Sequence, residues 1–535
     1  MSEPSAFAPL RHKVFAVLWT ATVLGNIGTW MRDVGSGWLM TSLAPSPVMV
    51  ALVQAASTLP VFILALPAGA LADLMDRRRL LIGVQAFLGV VALTLAITTA
   101  LGMMTPWLLL VLVLAGGAGA ALGAPAWQSS VPEMVPRADL RPAIALNSLG
   151  VNVSRAIGPA LGGVIVATLG VAATYLADAI SYVIVIAALL WWRRSAPVVE
   201  GPRESLPGAM QAGLRYALHA PALRRVLLRA AVFFACGAAH WALLPLLARQ
   251  TLAGGPGLYG FMLAAIGAGA VLGAVLMPWL RTRLGGAEGL MRFGALGSAV
   301  AQAGLALATT GILAVLLCLL AGIAWITVLT TLNATVQAVL PNWVRGRGLA
   351  LYLTVFSGAM ALGSLGWGQL ASWLGIPGAL LVAAAGGAAA VLLARILPLP
   401  SGEDELDPSH HWPDPHAVVA EPAERGPVAV QVAYRVAPER HAAFDAAIRP
   451  LGQIRRRDGA LAWSVYVDAA DPERIIEWFV LASWAEHLRQ HGRVTVADRA
   501  VQQAVAALHE GDAPPQVTHL LGLSASTAAR PAKPA

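Results

Sequence analysis

Charges set inside apolar runs are where this sequence could do chemistry. The stretch TWMRDVGSGWLM, residues 29–40, places Arg32 beside Asp33 in a segment otherwise apolar enough to cross a bilayer. A charge facing lipid there costs several kcal/mol, so each residue needs a partner on another helix or a water-filled cavity. Neighbours on a helix do not face one another, so the two are not expected to neutralise each other well. Arg155, Asp178 and His240 are also ionisable groups deep in apolar runs. At about 1.5 Å per residue, Asp33, Arg155, Asp178 and His240 fall at one level, in the outer half of the membrane. The expectation is that Asp33 pairs with Arg155 when ionised. Cation and dry cavity push its proton in opposite senses, which suits proton coupling. His240 is a second proton candidate, its ordinary pKa being about 6.5; a satisfied polar residue beside Trp241 is the plainer account. Arg32 is expected to snorkel to the outer headgroups. A static buried ion pair is the alternative for Asp33 and Asp178.

The elements that must position these groups are membrane spans. The chain has 535 residues, 57% hydrophobic and 12% charged, with mean hydropathy +0.69. The charged share is about half that of a soluble domain. Residues 1–400 carry a net charge of +13 and residues 401–535 a net charge of −5. The basic excess therefore belongs to membrane loops and is no nucleic-acid signal. Cys236 and Cys318 lie in apolar runs, which excludes a disulfide framework.

Twelve runs are long enough to span, at about 14–40, 48–72, 80–101, 107–131, 142–168, 172–192, 226–248, 258–280, 288–309, 312–338, 348–373 and 377–397. Turns such as APSP, MTPW, GGPG and LGIPG divide them. With both termini cytoplasmic, twenty Lys and Arg fall in inner loops and only Arg249 in outer ones. The first span is read as retained, not a cleaved leader. The expected organisation is an N-terminal six-helix bundle over 1–193 and a cytoplasmic loop with an interfacial helix over 194–224. A second bundle follows over 225–397. Shifting the first half by 205 positions lays Gly158 on Gly363 and Gly163 on Gly368, as parallel repeats would.

Polar and aromatic residues in the spans are candidates for a substrate path: Gln54, Trp127, Gln128, Asn147, Asn152, Trp325, Asn333 and Gln337. Interhelical hydrogen bonds and packing explain most of them equally well.

Beyond the spans, 398–426 reads as a Pro- and acid-rich linker. From 427 to 523 the pattern is β-α-β-β-α-β, a ferredoxin-like α+β domain, followed by a disordered tail over 524–535. His487 and His491 have a spacing that can ligate metal, but no third ligand is evident and no metal site is assigned. No cofactor is expected. The chain has no Gly-Lys pair and so no phosphate-binding loop of the Walker type.

GALADLMDRRRLL, residues 69–81, resembles the loop signature of the major facilitator superfamily at Gly69, Asp73 and Arg77–Arg79. It departs at Leu74 and Asp76. SRAIGPALGG, residues 154–163, resembles that superfamily's exporter-type Gly-Pro motif through Gly158, Pro159, Gly162 and Gly163. With WMRDVGSGWL and the region around 131–163, the chain resembles the enterobactin-exporter-like, transmembrane secretion effector branch over about 10–525. The tail resembles small dimeric domains of the antibiotic-biosynthesis monooxygenase type. The resemblance implies two six-helix bundles around a central cavity, with Gly69, Asp73, Arg77 and Arg78 as a cytoplasmic gate. It implies a proton-driven exporter of a siderophore, drug or secondary metabolite in a bacterial inner membrane, not an enzyme. Its partners would be a small molecule, protons and the bilayer, with a homodimer through the C-terminal domain. The alternative is a membrane-anchored enzyme or sensor whose C-terminal domain binds or modifies a small molecule.

Overall fold

The computed structural model describes residues 7–193, 206–400, 406–409 and 425–522; side chains at 66, 70, 72–74 and 206–212 are outside the description. Two compact units are present. One comprises 1–202, 226–334 and 350–399, and the other 203–225, 335–349 and 400–535.

The first unit is helical. Its helices are α1 (Lys13–Leu43), α2 (Pro47–Leu74), α3 (Arg77–Ala100), α4 (Pro106–Ser130), α5 (Leu140–Leu169) and α6 (Val171–Trp191). After α7 (Leu206–His219), which belongs to the second unit, come α8 (Pro221–Leu246), α9 (Pro256–Arg283), α10 (Ala287–Leu307), α11 (Gly311–Ala338), α12 (Arg345–Ala389) and the short α13 (Leu393–Ile396). Among the described residues eleven helices are long and apolar enough to cross a membrane. The last of these runs 52 residues, from Arg345 to Ile396, and contains a non-helical break at Gly375, φ 73°. This run holds the last two of the twelve expected spans, two helices that meet at a kink in the LGIPG turn, where glycine takes a positive φ without a Cβ clash.

The punctuating residues set the helix starts. Ser46 and Thr105 cap α2 and α4, accepting from Met49 N at 3.2 Å and Leu108 N at 3.3 Å, each followed by proline. Asp76 caps α3 by accepting from Arg79 N at 2.9 Å. One apolar core, with Val34, Tyr175, Leu243, Tyr259 and Leu380, draws on both halves; another, with Phe15, Leu88, Leu146 and Leu189, stays within the first.

The halves meet through small residues at matching places. A Cβ on Gly163 of α5 would stand 2.8 Å from Gly260 Cα of α9, and one on Gly368 of α12 would stand 2.6 Å from Ala51 Cβ of α2. Gly158 lies against Ile27 and Trp30 of α1, as Gly363 lies against Ala235 and Ala238 of α8. The 205-residue offset is thus a structural correspondence: in each half one glycine faces the half's own first helix, and the next faces the opposite half.

The second unit contains a four-stranded antiparallel sheet, β1 (Val428–Arg435), β2 (Ala462–Val467), β3 (Arg474–Leu481) and β4 (Gln516–Leu521), in the order β2-β3-β1-β4. This is the ferredoxin-like order. Its helices are α14 (His441–Asp458), α15 (Trp484–Arg493) and α16 (Val496–Ala506). Alternate residues Val428, Val430, Val432 and Tyr434 of β1 pack on Phe444, Ile448 and Leu451 of α14.

Candidate functional site: a charged cluster between two cavities

Arg32 and Asp33 occupy consecutive positions of α1 and border different cavities. Asp33 lines a cavity of about 130 Å³ between the halves, with Trp30, Gln54, Ser57, Trp241 and Tyr259. Arg32 lines one of about 330 Å³ within the first half, with Asn26, Gln85, Trp127, Gln128, Asn147 and Tyr182. The flexible arginine stem turns back, so that Nη2 and Nε lie 3.1 and 3.3 Å from Asp33 Oδ1. Nη1 donates to Tyr182 OH at 3.2 Å and to Asp178 Oδ2 at 3.4 Å. One guanidinium therefore bridges two carboxyls from α1 and α6. Asp178 is fully buried, whereas the Asp33 side chain is 41% exposed. Asp178 Oδ1 has no hydrogen-bond partner. It lies against Gly28, where a Cβ would stand 2.9 Å away. Ser36 Oγ donates to Arg32 O at 2.9 Å and meets Tyr175 OH at 3.2 Å.

Four expectations are corrected. Asp33 pairs with Arg32, not Arg155. Ser154 faces α1, donating to Val23 O at 3.1 Å, and the next residue is turned about 100° away. Arg155 therefore reaches α1 at Trp30 and not at Asp33, its guanidinium 5.8 Å from the Trp30 ring centroid and its Nε without a partner. Arg32 does not snorkel outward: it is 8% exposed. It also does meet its sequence neighbour, because its long side chain reaches what helix geometry alone would separate. His240 sits beside Trp241, ring centroids 5.6 Å apart, and edge-on to Trp325 at 6.0 Å. It is buried, and neither ring nitrogen has a partner, so it is not the satisfied residue expected.

Of the path candidates, Gln54 lines the first cavity; Trp127 and Gln128 line the second. Trp127 Nε1 donates to Asn147 Oδ1 at 3.0 Å. Asn152 donates to its own helix at Ser148 O, 2.9 Å. Trp325 packs among Phe233, Phe234 and Phe356 and lines neither cavity. Asn333 is half-buried and Gln337 exposed, and neither borders the two cavities.

In the loop motif, Gly69 has open space beside it, and the Asp73 side chain falls outside the described residues. Arg77 donates to Glu133 Oε1 at 2.7 Å and Ser129 O at 2.8 Å. Arg78 donates to the last carbonyls of α6, Leu189 O at 2.7 Å and Leu190 O at 2.8 Å. These partners all belong to the first half. In the Gly-Pro motif, Gly158 and Gly162 admit α1, while Gly163 and Pro159 O meet Gly260 of α9.

Several residues went unread in the sequence. Tyr175 and Tyr182 flank Asp178 at helical spacing on α6; that stripe is a visible signal. Arg249, just beyond α8, donates to Thr41 Oγ1 at 2.8 Å and lies 5.3 Å from the Trp38 ring centroid, joining the end of α8 to the end of α1. Gln250 adds a bond to Pro45 O at 3.2 Å. Nothing local in the sequence marks that contact. In the second unit His519 of β4 comes within 4.7 Å of His487, ring centroid to ring centroid, and His491 lies 4.8 Å from the same ring. Among the described residues no group of His, Cys, Asp or Glu is arranged to hold a metal ion.

The family model for transmembrane secretion effectors matches residues 4–528. The chain belongs to this family. It is similar to the staphyloferrin A transporter of Staphylococcus aureus, 25% identical over 255 residues, 47% of this chain and 64% of that one. It is 27% identical to the enterobactin exporter EntS of Salmonella choleraesuis over 264 residues, 49% of this chain and 63% of that one. The chain thus spans somewhat under two-thirds of the length of these two relatives. YfiS of Bacillus subtilis, an MFS-type transporter, is matched at 26% over 381 residues, 69% and 90% of the two chains. Among solved structures, the nucleoside transporter NupG aligns with a TM-score of 0.61 at 12% identity, over 72% of this chain and 99% of that one. A bacterial homologue of ferroportin in an inward-facing state aligns at 0.55 and 15%, over 73% and 99%. These likenesses place the helical unit in the major facilitator fold.

Proposed function

We propose that the protein is a secondary active exporter that moves a small molecule out of the cytoplasm in exchange for protons, by alternating access. The observation that carries this reading is the Arg32–Asp33–Asp178 cluster. One guanidinium balances one carboxylate, and a proton on the second carboxyl makes the cluster neutral inside the bilayer. Asp33 stands at the wall of the cavity between the halves. There a substrate and a proton compete for the same carboxyl, which is what antiport requires. The names of two relatives make a siderophore the first candidate, with drugs and other secondary metabolites next. The distribution of Lys and Arg supports a bacterial cytoplasmic membrane location with both termini inside. The contact of Arg249 with α1 would then close the outer side. We also propose a homodimer through the open face of the C-terminal sheet, where Tyr466 and Leu520 are exposed near Trp478; the mass of the lipid-embedded particle tests it.

The transport test uses everted membrane vesicles holding a proton gradient read by a pH-sensitive dye. Siderophores, dyes and antibiotics are added to wild type and to Asp33→Asn. Dissipation by one compound in the wild type alone supports proton-coupled export through Asp33. An equal response in both variants removes Asp33 from the coupling.

A further inference from the structure

The second compact unit joins stretches far apart in the chain. The C-terminal domain is one part; the others are α7, which leads through Ala220 into α8, and residues 335–349, which connect α11 to α12. A set of cations and rings holds them. Arg215 of α7 pairs with Glu486 of α15 at 3.1 Å. Glu486 also accepts from Arg493, which donates to Asp458 O at 2.8 Å. The Arg493 guanidinium lies 4.5 Å from the centroid of the Trp343 ring, in the α11–α12 connection. Arg457 of α14 lies 5.5 Å from the Tyr216 ring of α7. Tyr216 and Trp343 meet edge to face at 5.6 Å. Two arginines of the domain thus each cover one ring of an aromatic pair, and that pair unites two separate segments of the chain.

A passenger domain on a linker would leave such charges in water. Here Arg493 and Glu486 are buried, as is Tyr216. Desolvated cation–π contacts and buried ion pairs are stronger than their surface counterparts. The two gripped segments lead into α8 and α12, which touch where Gly363 meets Ala235.

We propose that the face of the C-terminal domain formed by Arg457, Glu486 and Arg493 is a clamp for this chain's own α7 and α11–α12 connection. It makes the entry to α8 and the entry to α12 move as one piece. This inference rests on neither the substrate nor the proton reading.

The test is backbone hydrogen exchange on the full chain in lipid nanodiscs, for wild type, Trp343→Ala and Arg215→Ala. Both substitutions lie outside the domain's own sheet and helices. The expected result for Trp343→Ala is exchange about tenfold faster in α7 and α15 as well as around residue 343, the scale of one lost desolvated cation–π contact, with β1 and β3 unchanged. Arg215→Ala shows the same pattern at smaller amplitude and serves alone if Trp343→Ala does not fold. Faster exchange confined to the substituted segment, with α15 unaltered, overturns the clamp. No substrate or gradient enters the measurement, so its failure is distinct from failure of the transport reading.

Discussion

Gly163 of α5 and Gly260 of α9 meet backbone to backbone: a Cβ on either would stand within 2.8 Å of the other's Cα. At this contact the two halves of the helical unit approach without intervening side chains. Small residues permit such closeness, and interior packing resists added volume.

Gly163→Val is therefore expected to destabilise the protein by about 1–3 kcal/mol, as overpacking does. Gly257→Val, on the same helix as Gly260 with nothing within 4 Å, serves as the control. Thermal unfolding in detergent separates the two: a clear loss of melting temperature for the first, little for the second.

Removing the guanidinium at position 32 leaves Asp178 buried without its cation. Arg32→Leu should cost about 3–5 kcal/mol, the usual penalty for breaking a buried pair. Adding Asp178→Leu should restore much of it, because the stranded carboxyl is gone. A denaturant or thermal series on the two single variants and the double variant checks this; equal loss in all three would contradict it.

Arg249 ties α8 to α1 through Thr41 and the face of Trp38. Arg249→Ala should shift the protein toward opening at that end by about tenfold, the worth of surface hydrogen bonds to Thr41 and Ser42 and one cation–π contact. A cysteine placed at Ser57, which lines the cavity between the halves, should then react faster with a membrane-impermeant thiol reagent added outside. An unchanged rate would show that the contact does not gate the cavity.

The C-terminal domain should weaken in mild acid through His487. Burial, with His491 and His519 close by, lowers its pKa from the ordinary 6.5 to about 3. Between those values the unfolded chain binds a proton that the folded domain does not. Stability therefore falls as pH drops through that window, by up to about 1.4 kcal/mol per pH unit. His487→Leu should reduce the dependence between pH 6.5 and 5, above the ordinary carboxylate range, leaving the share of His519, whose pKa burial also lowers. Hydrogen exchange of β1 and β3 in the full chain, measured across that window, reports it.

The helices, their starts and the strands of the C-terminal domain were legible because they follow from local chemistry. Proline and a capping hydroxyl start α2 and α4 where they stand in the chain, and alternation in 428–435 marks β1 wherever that strand packs. The paired glycines at 158, 163, 363 and 368 could be read as a repeat, since both halves use small residues for the same close approach. Sequence alone also identified Arg32, Asp33 and Asp178 as groups that lipid would not tolerate. It did not assign their partners. Which carboxyl meets which cation depends on helix rotation and on how far a flexible side chain bends, and neither leaves a local trace. For the same reason only the tertiary structure showed that Asp33 and Arg32 open onto different cavities. Nor could spacing reveal that Arg493 and Trp343, 150 positions apart, share one contact. Such pairings are decided by the packing of the whole chain, where burial sets the strength of each charge.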